Sequence, residues 1–259
     1  MKLPKKSLKK LLFLILIIGI SYQGCSLLEK SEANTRSTVF PYESFALIEV
    51  NLAHTLPNNA SGISNTPATI TSMGSGMSIG STSNGRTAIL TAEHVCNPGL
   101  ISAAILLLGG ETEKSIHITD FYGNRSIARV ITKDSESDLC ILEMREGFIP
   151  KTSISPINPR MGDKVYTVAA PVAFFNPGMV PLLSGYFSGV SNTRNGLDYV
   201  YSIPTAQGSS GAAILNSDGK IVGVIHSTLV NYSHVAISAT HDELMDFISK
   251  FTGLHGGRI

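Results

Sequence analysis

Tryptophan is absent, aromatic residues make up 7 % of the chain, and cysteine occurs only three times in 259 residues. A small disulfide-laced scaffold is therefore excluded, and any core must be mainly aliphatic. The seven histidines show no HxxxH or HxH spacing, so His54, His117, His234, His241 and His255 do not suggest a metal site. No glycine-rich phosphate loop of the P-loop or dinucleotide type occurs either, and no cofactor is expected. Low-complexity sequence is lacking beyond a short polar stretch near the start, which excludes disorder of the main body.

What is present begins with segregated charge. Residues 1–10 hold Lys2, Lys5, Lys6, Lys9 and Lys10 and no acid, and residues 11–20 form an unbroken apolar block. That block suits the hydrophobic region of a signal peptide but falls short of the roughly 20 residues that span a bilayer as a helix. Residues 1–24 are thus expected to direct export across the cytoplasmic membrane, leaving the protein periplasmic, membrane-anchored or secreted. Ser21-Tyr-Gln-Gly-Cys25 resembles a bacterial lipobox at Gly24 and Cys25 but not at Tyr22 and Gln23. Lipidation of Cys25 and simple cleavage nearby both stay open. Loss of residues 1–24 removes five lysines and leaves 15 basic against 19 acidic groups, or −4. No basic patch for nucleic acid survives, and membrane contact would come through the signal or a lipid anchor.

The remaining 235 residues (259 − 24) exceed a usual single core and suit two small packed ones. Residues 25–43 read as a polar tether. Strand-like runs follow at 44–52, 74–80, 88–95, 101–108, 115–121, 126–132 and 139–143, with a polar loop at 58–71. Ser83-Asn-Gly-Arg86 is a hairpin turn signal. A Pro/Gly-bearing crossover at 154–163 marks a boundary between 44–153 and 154–259. Beyond it come a segment at 162–171 and runs at 183–190, 199–203, 212–215 and 220–226. Short strands at this spacing predict an all-β barrel or sandwich in each half. The tail changes period: Thr240-His-Asp-Glu243 is a capping box, and Leu244, Phe247, Ile248 and Phe251 share a helical face, with Gly253 as the stop.

Three segments carry chemistry. Ala88-Ile-Leu-Thr-Ala-Glu-His-Val95 ends on a histidine, Ser137-Asp-Leu-Cys-Ile-Leu142 opens on an aspartate, and Thr205-Ala-Gln-Gly-Ser-Ser-Gly211 sets a serine between glycines before an apolar run. Imidazole can accept a hydroxyl proton near neutrality, and a carboxylate can hold its tautomer. His94, Asp138 and Ser210, spaced by 44 and 72 positions, resemble in motif and order the chymotrypsin-like serine proteases. Gly74-Ser-Gly-Met77 and Gly162-Asp-Lys-Val165 resemble segments of their bacterial, HtrA-type members.

The resemblance covers roughly residues 44–254 and implies two six-stranded antiparallel β-barrels with a C-terminal α-helix, and no PDZ module after it. It makes Ser210 the nucleophile, His94 the general acid and base, and Asp138 its orienter, in preference to Asp134 or Asp163. The N–H groups of Gly208 and Ser210 would form the oxyanion hole. Thr205 would line the pocket for the substrate residue before the cut, as in glutamyl endopeptidases, while His226 stands one residue later than the histidine those enzymes use. His226, Ser227 and Thr228 would border the substrate backbone. Cys96 and Cys140, each two past a triad position, would lie near each other as a disulfide or as packed thiols. Two departures matter: Ser209 stands where an aspartate pairs with a freed N-terminus in zymogens, and Ala212 where glycine is usual. The expected function is a secreted or membrane-tethered serine endopeptidase acting on polypeptides; the alternative is an inactive homologue that binds peptides or a partner protein in the same cleft. Oligomeric state is not readable.

Overall fold

The runs pair into antiparallel ladders because each strand has a face to bury and the turns between neighbours are tight. The computed structural model describes residues 40–55, 68–97, 111–193, 196–229 and 231–259. β1 (Phe45–Thr55), β2 (Ala68–Ser81), β3 (Thr87–Ala92), β4 (Glu111–Asp120), β5 (Arg125–Asp134) and β6 (Leu139–Met144) close in the order β1-β2-β3-β6-β5-β4. β7 (Lys164–Val168), β8 (Leu182–Thr193), β9 (Gly196–Tyr201), β10 (Ala213–Leu215), β11 (Ile221–Leu229) and β12 (Tyr232–Ala239) close in the same pattern, with β10 returning to β7. Closure leaves neither sheet with a free outer edge strand.

Two α-helices complete the described chain: the single turn α1 (Glu93–Cys96) and the amphipathic α2 (His241–His255). No helix among the described residues is long and apolar enough to cross a membrane. Thr240 Oγ1 accepts from the Glu243 N–H while the Glu243 carboxylate accepts from the Thr240 N–H, so the capping box forms as the sequence predicts. Leu244, Phe247, Ile248 and Phe251 are its buried face. The helix does not stop at Gly253. It runs on to His255, and Gly256 takes the left-handed φ of 61° that ends it.

Each barrel has its own apolar filling. Ile48, Val50, Leu52, Ile89, Ile118 and Leu142 occupy the first, and Val165, Tyr201, Ile214, Val222 and Ile225 the second. A third cluster joins Phe45, Met77, Leu90 and Ile141 of the first barrel to Val168, Leu215, Val224 and the face of α2. The cleft between barrels is therefore the exposed rim of a continuous hydrophobic joint. The C-terminal residues add a strap: the Arg258 N–H donates to Ser81 O at 2.7 Å and the Ser81 N–H to Arg258 O at 2.9 Å.

Several expectations change. The described part of the expected loop at 58–71 is strand, since Ala68–Thr71 pairs with His54–Asn51 of β1. β12 is a strand the sequence reading does not anticipate. His94 lies on α1 rather than on the preceding strand, because β3 ends at Ala92. The run at 101–108, the segment 1–24, Cys25 and the tether up to residue 39 lie outside the described residues.

Candidate active site

His94 and Asp138 meet where α1 crosses the start of β6. The Glu93 N–H donates to the Asp138 carbonyl at 3.1 Å, the His94 N–H to Asp138 Oδ1 at 2.9 Å, and His94 Nδ1 lies 2.7 Å from Asp138 Oδ2. Both carboxylate oxygens are thus engaged by one residue, one through its backbone and one through its ring. The Nδ1 bond assigns that nitrogen the proton, which leaves the Nε2 lone pair as the free base. Asp138 reaches this position with φ of 51°, a left-handed conformation that Asp tolerates better than most residues. A Cys96–Cys140 disulfide, closing 44 residues, ties α1 to β6 two positions beyond each partner. The histidine side chain is 45 % exposed, so the ring remains open to solvent beyond its bond to Asp138.

The Ser210 loop is held by its carbonyls. Gln207 O accepts from the Val172 N–H at 2.5 Å, Gly208 O from Ser75 Oγ at 2.8 Å, Ser209 O from the Ala212 N–H at 3.1 Å, and Ser210 O from the Ser75 N–H at 2.8 Å. In a trans peptide the N–H points opposite the preceding carbonyl, so fixing Gln207 O turns the Gly208 N–H the other way. Among the described residues the Gly208 and Ser210 N–H groups meet no acceptor. Two neighbouring free amides beside a serine can receive an oxyanion.

Two glycines are obligatory here. A Cβ on Gly208, at φ of 93°, would sit 2.5 Å from Ala170 O, and one on Gly211, at φ of 83°, 2.0 Å from Thr91 Oγ1. The second contact also brings the serine loop against the strand leading to His94. Gly74 does the same from β2, packing on Val95 and on Ser210 O, where a Cβ would meet them at 2.6 and 3.1 Å. Among the described residues no hydrogen bond joins Ser210 Oγ to His94 Nε2.

Ser209 and Ala212 have defined places. Ser209 is buried, and its Oγ accepts from the Ala206 N–H at 3.2 Å while its own N–H donates to Ala206 O at 2.9 Å. The hydroxyl closes the turn that an aspartate ion pair would otherwise organise. Ala212 is fully buried in the second barrel's filling, so its methyl leaves the cleft unobstructed. Thr205 is buried, with Oγ1 2.9 Å from Thr228 Oγ1. His226 turns toward Asp198, Nε2 to Oδ1 3.5 Å, in a recess that also holds His94, Asp138 and Glu243. Ser227 and Thr228 continue β11 beyond the reach of β10, which pairs no farther than Val224.

Ser75 is the residue the sequence reading passed over. It donates through Oγ to Gly208 O and through N to Ser210 O, and its Oγ accepts from the Ala170 N–H at 3.0 Å. One buried side chain of the first barrel thereby fixes the Ser210 loop of the second. The signal lies in its flanking glycines, Gly74 and Gly76, where a Cβ would meet neighbours at 2.6 and 2.8 Å. Among the described residues no group of three His, Cys, Asp or Glu side chains is arranged to hold a metal.

The model of the trypsin-like peptidase domain matches residues 74–224, more than half the chain and inclusive of His94, Asp138 and Ser210. The chain belongs to the trypsin-like peptidase family. A search of the curated proteins finds no match. Solved structures with this family's fold include a serine endoprotease from Yersinia pestis, 19 % identical with TM-score 0.56, of which the chain spans 63 % while 82 % of the chain is covered. The active form of the Rv3671c protease of M. tuberculosis is 14 % identical with TM-score 0.57, covering 82 % of each chain. An HtrA-type protease, AlgW, in a variant form with a decapeptide, is 15 % identical with TM-score 0.63, covering 83 % of this chain and 64 % of its own. The chain thus spans under two thirds of the first and third of these proteins.

Proposed function

We propose that this trypsin-like protein is a serine endopeptidase in which Ser210 is the nucleophile, His94 the general base and acid, and Asp138 the group that orients and stabilises the imidazole. Ser210 Oγ adds to a peptide carbonyl as its proton passes to His94 Nε2, and the resulting oxyanion is received by the Gly208 and Ser210 N–H groups. His94 then protonates the departing amine, leaving an acyl-enzyme on Ser210 that water hydrolyses by the reverse route. The reading is carried by the two-point grip of Asp138 on His94 opposite a serine loop whose four successive carbonyls are all engaged. The free side of β11 from His226 to Thr228 suits an extended polypeptide, which would add as a short antiparallel strand.

An exported location accords with this reading. The basic and apolar segment at 1–24 would carry the chain across the membrane, with Cys25 as the residue to be acylated if an anchor is retained. The Cys96–Cys140 disulfide belongs to an oxidising compartment.

The absence, among the described residues, of a hydrogen bond between Ser210 Oγ and His94 Nε2 favours one second reading, an inactive homologue that holds peptides in the cleft. A fluorophosphonate probe separates the two. Labelling at Ser210, abolished in Ser210→Ala and reduced about 10⁴-fold in rate in His94→Ala, is the expected result. Folded wild-type protein that takes no label overturns the peptidase reading.

A further inference from the structure

We propose, independently of the peptidase reading, that a pocket on the solvent face of the first barrel, built by Arg86, Arg129 and Arg145 over the buried Glu143, binds a phosphate group. The pocket has a volume of about 290 Å³ and is lined by those four residues with Ile127 and Ala128. It shares no lining residue with the recess that holds His94 and Asp138. Glu143 stands five positions beyond Asp138 (143 − 138) along β6, roughly 16 Å for an extended chain.

The register of the ladders assembles the pocket. Arg129 of β5 pairs with Glu143 of β6, Glu143 pairs on its other side with Ala88 of β3, and Arg86 precedes Ala88 by two residues. Just past β6 the Arg145 N–H donates to Ile127 O at 2.8 Å, which sets Arg145 beside Ile127. Residues two apart on an extended chain share a face, so Ile127 projects with Arg129 and Arg145 with Glu143. The buried carboxyl then fixes its neighbours: Glu143 Oε1 accepts from Arg129 Nε at 2.9 Å and from Arg86 Nη1 at 3.4 Å. Each of these two guanidinium groups spends one N–H on Glu143 and keeps four. Among the described residues the Arg145 guanidinium is joined to no carboxylate, and Glu146, next in the chain, does not line the pocket.

Three guanidinium charges against one carboxylate leave a surplus of two (3 − 1). A phosphate monoester carries about −1.5 to −2 near neutral pH and offers three acceptor oxygens, which matches both the surplus and the forked donors. A carboxylate would neutralise only half of it. Ile127, 49 % exposed, gives an apolar wall for the carbon side of an ester. Free phosphate and the phosphate headgroup of a lipid present this same chemistry.

Titration calorimetry of the folded protein with inorganic phosphate is the first measurement. Wild type should bind it with a Kd of about 1 mM or tighter, and acetate at equal ionic strength at least about tenfold more weakly. Arg145→Gln removes an exposed group, so it should keep the urea midpoint and lose about tenfold in affinity. Arg125→Gln is the control: this arginine also lies on β5 but pairs with Glu49 at 3.1 Å outside the pocket, and its loss should leave binding unchanged. Vesicles of phosphatidylcholine with and without phosphatidic acid separate the sources. Arg145-dependent sedimentation with the phosphatidic acid vesicles alone assigns a lipid headgroup; phosphate binding without sedimentation assigns a soluble phosphate. Binding of neither probe overturns the proposal. So does binding that Arg145→Gln leaves unmoved, that Arg125→Gln weakens equally, or that acetate matches.

Discussion

The two barrels share one strand order and differ in what holds them. The first buries charge: Glu143 is 1 % exposed, with Arg129 Nε at 2.9 Å and Arg86 Nη1 at 3.4 Å, and the Cys96–Cys140 disulfide crosses its site end. The second is fixed by hydroxyls, backbone bonds and the tilted ring contacts of Phe187 with Tyr199 and Tyr201, centroids 4.8 and 5.2 Å apart. The His94–Asp138 pair therefore sits on a covalently and ionically braced frame, whereas the Ser210 loop depends on small neutral hydrogen bonds.

Three changes sharpen this contrast. Ser75→Ala should disturb the nucleophile half alone, lowering kcat by about 10²-fold because the Gly208 carbonyl loses its clamp and the oxyanion amides lose their aim. KM should stay near wild type; a rise in KM at full kcat would place Ser75 with the packing instead. Next, Cys96→Ser combined with Cys140→Ser should cost about 4 kcal/mol in urea unfolding, the chain-entropy value for a loop of 44 residues. A loss confined to the base half should appear as a changed pH profile with an unchanged preference among substrates.

The smallest effect concerns Glu143. Burial pushes its carboxyl up, but hydrogen bonds from Thr82, Arg129 and Arg86 together with the Arg129 charge outweigh that and hold it below the usual carboxylate range. A group lowered on folding contributes stability above its unfolded value of about 4.3 and loses it as pH falls through the folded value. Wild-type stability should thus decline below about pH 4 more steeply than that of Glu143→Gln, while the two run parallel between pH 5 and 7. Denaturant midpoints across that range check it.

Much of this architecture was legible. Strand-like segments separated by turn signals located eleven of the twelve strands among the described residues, and motif and order singled out His94, Asp138 and Ser210, of which the structure joins the first two by hydrogen bonds. β12 stayed hidden because its inward residues are small. Ala236 and Ser238 are fully buried beneath Tyr201, whose hydroxyl and the Ser238 Oγ both crowd Gly223, so the bulk came from a neighbouring strand. Ser75 stayed hidden for another reason. Its role lies in bonds to residues more than 90 positions away, and a serine between glycines reads locally as a flexible link. The His226 offset was visible, but its partner Asp198 was not, since it lies on a strand far from it in sequence.

The strap between Ser81 and Arg258 couples the end of β2 to the segment after α2. It joins positions 177 apart (258 − 81), so among the contacts described it carries one of the largest loop-closure costs and forms only once the carboxyl end is in hand. Exopeptidase trimming of residues 256–259 would therefore be felt at the β2–β3 hairpin, although it leaves α2 at its full length.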